Sequence, residues 1–202
     1  MKLSFLRRPA LLALALGLGL AACGGGKAEF QVKGTIVGLQ YPGLVLTNNG
    51  ANDLPVPDKA TSFAFPGSIE YGTAYAVDFK KQPDHQICGF GADNLPGSQA
   101  ETAGRQATIN VLISCVLTAY TVGGTVTGLT ADGLELNNGD QRTIILKAAT
   151  SYAFPTALPY GTSYGITILT QPAGLKCTLV NPVGTIGDAT VTNVNVNCVP
   201  AT

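Results

Sequence analysis

One unit is written twice in this chain. Ser62-Phe63-Ala64-Phe65-Pro66, followed by Tyr71-Gly72-Thr73-Ala74-Tyr75, returns as Ser151-Tyr152-Ala153-Phe154-Pro155, followed by Tyr160-Gly161-Thr162-Ser163-Tyr164, each 89 residues on. A chain of 202 residues could form one domain or two, and an internal repeat of this length selects two copies of one fold. Gly is abundant, charge is sparse and Trp is absent. Such a composition suits short strands joined by tight turns.

Both copies open on an alternating strand, Val32-Lys33-Gly34-Thr35-Ile36-Val37-Gly38-Leu39 and Val122-Gly123-Gly124-Thr125-Val126-Thr127-Gly128-Leu129. A second strand then reaches Asn48-Asn49-Gly50 or Asn137-Asn138-Gly139. Asn and Gly tolerate positive φ, so each is a hairpin signal. The offset between copies drops from 90 to 89 here, which places a one-residue change before the turn. Pro55 and Pro57 make the next segment of copy one an edge strand, since proline cannot donate to a ladder. Phe63, Phe65, Tyr75, Val77 and Phe79 alternate onto a core face, as do Tyr152, Phe154, Tyr164, Ile166 and Ile168. The copies differ most in residues 52–59 and 89–106, and 89–106 reads as a surface loop. The link 116–120 is too short for much independent motion. About seven strands per copy and no helical periodicity past residue 22 predict an all-β chain of two tandem β-sandwiches.

The start of the chain reads as an export signal. Lys2, Arg7 and Arg8 precede an apolar run over 11–20, too short to span a bilayer as a helix. Leu20-Ala21-Ala22-Cys23 follows and resembles the lipobox of bacterial lipoproteins. That resemblance implies cleavage after residue 22 and acylation of Cys23; the alternative is an ordinary secretory signal with a chance Cys. Gly24, rather than Asp, implies the outer membrane by the same resemblance, within the cell envelope. The expected organisation is a signal peptide, 1–22, a flexible tether, 23–29, and sandwich units over 30–116 and 117–202. Removing Lys2, Arg7 and Arg8 from twelve basic residues against twelve acidic ones leaves a formal charge of −3. That charge disfavours nucleic acid as a partner. Membrane contact is expected through acyl chains on Cys23, and two or more chains hold stably where one does not.

Four cysteines remain. Three connectivities are possible, and their duplicated placement selects Cys88 with Cys115 and Cys177 with Cys198, as bridges between the last two strands of each copy. No Cys-x-x-Cys or nearby His supports redox or metal chemistry, and no cofactor is expected. His85 is the only histidine and stands in a turn, where copy two has Gly174. It reads as a surface residue; a hydrolase would have to use it without a Gly-x-Ser-x-Gly elbow. Asp53, Asp58, Asp132 and Asp140 near turns lack a calcium-loop pattern. Tyr71 and Tyr160 read as core or corner residues, with sugar-stacking platforms as the alternative.

The succession Gly-x-Val-x-Gly-Leu, Gly-Leu-x-Leu-x-Asn-Asn-Gly, Phe-x-Phe, Tyr-Gly-x-x-Tyr, Gln-Pro and two cysteines resembles a repeat of bacterial lipoproteins and cell-surface proteins. In copy one these are positions 34–39, 43–50, 63–65, 71–75, Gln82-Pro83, Cys88 and Cys115. The resemblance implies immunoglobulin-like or prealbumin-like sandwiches and carries no catalytic residue. The expected function is a non-enzymatic structural or interaction module with a protein or glycan partner; the alternative is a carbohydrate-binding or adhesive module.

Overall fold

The structure, a computed structural model, describes residues 26–91 and 99–202. The expected signal peptide and Cys23 lie outside the described residues. Among the described residues twenty strands fold as two successive sets of ten. The first set is β1 (Glu29–Phe30), β2 (Lys33–Val37), β3 (Val45–Asn48), β4 (Ala51–Pro55), β5 (Ser62–Ala64), β6 (Ile69–Glu70), β7 (Ala74–Lys81), β8 (Gln86–Phe90), β9 (Ala100–Thr102) and β10 (Val111–Leu117). The second is β11 (Ala119–Tyr120), β12 (Gly123–Thr127), β13 (Leu134–Asn138), β14 (Gln141–Ile145), β15 (Ser151–Ala153), β16 (Leu158–Pro159), β17 (Ser163–Thr170), β18 (Leu175–Val180), β19 (Val183–Thr185) and β20 (Asn195–Pro200).

In the first unit the sheet β5-β2-β10-β8 faces the sheet β4-β3-β7-β9; in the second, β15-β12-β20-β18 faces β14-β13-β17-β19. The described residues are all-β, arranged as two tandem sandwiches. Strand alternation builds each core. Ile36, Val111 and Ile113 come from one sheet of unit 1, Leu46 and Val77 from the strands opposite and Leu44 from just before β3, all buried in one cluster. Val126, Val194 and Val196 meet Leu134, Leu136 and Ile166 in unit 2. Phe63, Phe65, Tyr75 and Val77 are buried, and Phe79 packs half-buried against them. Phe154 and Ile166 are buried while Tyr152, Tyr164 and Ile168 pack at the margin.

Three details differ from the sequence expectation. The segment 89–106 is not simply a loop: β8 runs to Phe90, β9 pairs with β7 and Ala103 is buried. The one-residue change lies after the first turn, not before it. Asn48 faces Val77 and Asn138 faces Ile166, so Asn48 matches Asn138, and β4 absorbs the extra residue as a bulge with Asn52 at φ 57°. Both asparagines are buried and accept equivalent amide hydrogens, from Ala76 and Gly165. Finally, the disulfides Cys88–Cys115 and Cys177–Cys198 join strands that are neighbours in a sheet, with the cysteines directly opposed. They are not the last two strands in sequence, because β9 and β19 intervene and cross to the other sheet.

The Tyr152 hydroxyl donates to the Val194 carbonyl at 2.9 Å. Burial, with Tyr164 adding to it, pushes this phenol far above its ordinary value of 10.0. The unfolded chain ionises first as pH rises, so this contribution is whole below pH 10.0 and is lost above it. Tyr152→Phe should flatten the alkaline fall in stability of unit 2, read by urea unfolding at stepped pH, while costing about 1 kcal/mol at neutral pH.

Candidate functional site

Among the described residues, side chains of both units converge at one place, the junction. Only Thr118 separates β10 from β11. Its N–H donates to the His85 carbonyl at 2.9 Å, its hydroxyl donates to the same oxygen at 3.0 Å, and its own carbonyl accepts from the Tyr160 N–H at 2.8 Å. One linker residue therefore sets His85 of unit 1 beside Tyr160 of unit 2. Their rings stack with centroids 3.8 Å apart and an interplanar angle of 8°. Tyr41 meets both edge-on, at 5.0 Å from His85 and 5.7 Å from Tyr160. The His85 Nδ1 lies 2.6 Å from Asp188 Oδ1, so the imidazole donates there and the carboxylate accepts.

The local sequence builds this site at some cost. His85 adopts φ 59°, where Gly174 holds φ 71° in unit 2. The left-handed region costs a non-glycine residue about 1 kcal/mol or more. The next residue, Gln86, is buried, and its oxygen accepts the N–H groups of Gln40 and Tyr41 at 2.7 and 3.0 Å. Its amide nitrogen donates to the Gly38 carbonyl at 2.7 Å. Those bonds pin the loop that carries Tyr41 against the His85 turn. Unit 2 has Leu175 at the Gln86 position and Ala131 at the Tyr41 position, so every junction residue contributed by unit 1 is absent from the corresponding end of unit 2. His85 is thus not the free surface residue that its turn suggested: only a quarter of its side chain is exposed.

Neither tyrosine of the repeated Tyr-Gly pair is a core residue. Tyr160 is covered by His85 and Tyr41, whereas Tyr71 is 59% exposed and its ring lies against Gly104. The aspartates considered for calcium are not brought together. Asp53 pairs with Lys80, and Asp132 accepts the Lys147 N–H at 2.8 Å. Among the described residues no group of three His, Cys, Asp or Glu side chains could hold a metal ion. A cleft of about 280 Å³ beside Gly123, Gly124 and Tyr152 offers only that tyrosine as an ionisable group, and its hydroxyl is already bonded to Val194.

What the junction can do is mechanical. A stacked pair with an edge-on third ring contributes about 0.5–1.5 kcal/mol beyond its buried area. The pair with Asp188, itself 60% exposed, adds at most about 1 kcal/mol. Together they hold two sandwiches that otherwise share one residue of linker.

No family model matches the chain. No curated protein matches it either. Among solved structures, a streptococcal ancillary pilin aligns at 17% identity over 86% of this chain, with a TM-score of 0.27. The chain spans 63% of that pilin's length.

Proposed function

We propose that the chain is an extracytoplasmic lipoprotein, held to the outer membrane by acyl chains on Cys23, whose two sandwiches act as one non-enzymatic structural or interaction module. The observation that carries this reading is the junction. The only histidine, two tyrosines and an aspartate from both units are spent on fixing unit to unit, in a left-handed turn where glycine would have served the fold. A rigid pair of sandwiches behind a tether presents a surface at a set distance and angle. Oxidised cysteines fit an envelope location. The test has two arms. Cys23→Ser should abolish labelling by an alkyne fatty acid and release the protein from membranes. His85→Gly combined with Tyr160→Ala should widen the distribution of inter-unit angles in small-angle scattering, while leaving the unfolding of each unit nearly unchanged. A chain that stays soluble with Cys23 intact, or a pair of units equally flexible before and after substitution, would count against the reading.

The second reading, a carbohydrate-binding or adhesive module, is favoured by one observation, the exposed ring of Tyr71. Tyr160 cannot serve it, since both His85 and Tyr41 cover that ring.

A further inference from the structure

The two units carry the same backbone frame around their Tyr-Gly turns. In unit 2 the Tyr160 N–H donates to Thr118, Gly161 to Ile186 and Ile186 to Thr162, at 2.8, 2.9 and 2.9 Å. In unit 1 the Tyr71 N–H donates to Ala28, Gly72 to Ala103 and Ala103 to Thr73, at 2.7, 2.9 and 2.8 Å. The ribbon β1–β6 matches β11–β16, and Ala103 and Ile186 are buried equivalently beneath. In unit 2 this frame is a seat, and the structure records what sits on it: a turn of a neighbouring sandwich that offers the imidazole of His85, with Asp188 as its charged partner. In unit 1 the same frame presents Tyr71 to solvent, and the position of Asp188 is taken by Arg105.

We propose that this end of unit 1, the ring of Tyr71 with the guanidinium of Arg105, is a docking seat for a turn of a partner protein that presents a planar side chain beside a carboxylate. The inference deepens the reading of the chain as an interaction module and rests on it. Geometry gives the class of occupant, since an equivalent frame in unit 2 already carries a protein turn. Charge gives its chemistry: the seat that pairs with a histidine is acidic, and this one is basic. Among the described residues the Arg105 guanidinium pairs with Glu101, at 3.4 Å; the arginine side chain is 71% exposed, so the pair is screened and worth little. The other charges at this end, Lys27 with Glu70 and Glu29 with Ser68, are paired among themselves. A second copy of the chain is not the occupant. The far end of unit 2 offers Ala131 and Gly174 where unit 1 offers Tyr41 and His85, so the protein cannot stack on itself head to tail.

That last difference supplies the probe. No atom lies within 4 Å of a Cβ added at Gly174, and its φ of 71° is close to the 59° that His85 already adopts, so a side chain can be placed there at a conformational cost of about 1 kcal/mol. The chain carrying Ala131→Tyr with Gly174→Glu presents a ring and a carboxylate, and the chain carrying Ala131→Tyr with Gly174→His presents a ring and an imidazole. In sedimentation velocity the first should associate head to tail as concentration rises, and Tyr71→Ala or Arg105→Glu in the same chain should return it to monomer. The second should stay monomeric until Arg105→Asp is added. Absence of association in every combination, or association indifferent to Tyr71, overturns the proposal. So does binding of the unmodified chain on a glycan array that Tyr71→Ala abolishes, which would make the ring a sugar platform. Tyr71 does not touch the junction, so scattering on these same proteins keeps failure of the seat distinct from failure of the two-unit module.

Discussion

Gly128→Ala should destabilise the second unit by about 3 kcal/mol or more, because a left-handed backbone and a steric collision act together. Gly128 has φ 72°, and a Cβ built on it would run into the carbonyl oxygen of Cys198 on β20. That obstacle is backbone, part of the sheet that carries the disulfide, and it cannot swing aside as a side chain can. Gly38 repeats the situation in unit 1, at φ 79° against the Cys115 carbonyl, and its replacement should cost a similar amount. Gly161 separates the two effects. It has φ 78° with nothing within 4 Å, so Gly161→Ala should cost only the conformational share, roughly 1 kcal/mol. Urea unfolding of the three variants measures this directly. Equal losses for Gly128→Ala and Gly161→Ala would mean that the close approach of the strand contributes nothing. Against the ~5–15 kcal/mol of a typical domain, the expected loss is large enough to lower the folded population in cells.

The repeat made most of this fold legible. Alternation in 32–39 and 75–79, the Asn-Gly turns, and Pro55 of β4 with Pro57 just after it are local signals, and they mark strands, faces and an edge without any knowledge of partners. What escaped depends on contacts between distant segments. Strand β9 is three residues of unremarkable composition, Ala100–Thr102, and is a strand only because β7 lies beside it. The one-residue bulge cannot be placed from sequence, since Asn48 aligns equally with Asn137 or Asn138 until the pairing with β7 or β17 decides. The junction was hidden for a similar reason. His85 against Gly174 reads as a dispensable difference when each copy is compared alone. It becomes informative together with Gln86 against Leu175 and Tyr41 against Ala131, three departures at one end of one copy. A residue that breaks the repeat where the repeat has a left-handed glycine is the signal that could have found it.

Removing both cysteines of one unit should cost nearly the same in either unit, despite the longer excursion in the first. The bridges join adjacent strands that the ladder already holds, so their work is to close the chain that leaves β8 or β18, crosses to the other sheet as β9 or β19, and returns. The sequence separations are 27 for Cys88–Cys115 and 21 for Cys177–Cys198. Loop-closure entropy grows only with the logarithm of that length, so each bridge is worth about 3.5 kcal/mol, and the difference between them is roughly 0.2 kcal/mol. All four cysteines are buried, so alanine adds a small cavity loss to both units alike. Cys88→Ala with Cys115→Ala, and Cys177→Ala with Cys198→Ala, should therefore shift urea midpoints by similar amounts. The protection of β9 and β19 amides in hydrogen exchange should fall most, because those strands lie within the freed excursions. A difference between the two double variants well above about 1 kcal/mol would show that native packing around the sulfurs, rather than the freedom of the unfolded chain, sets the value of these bridges.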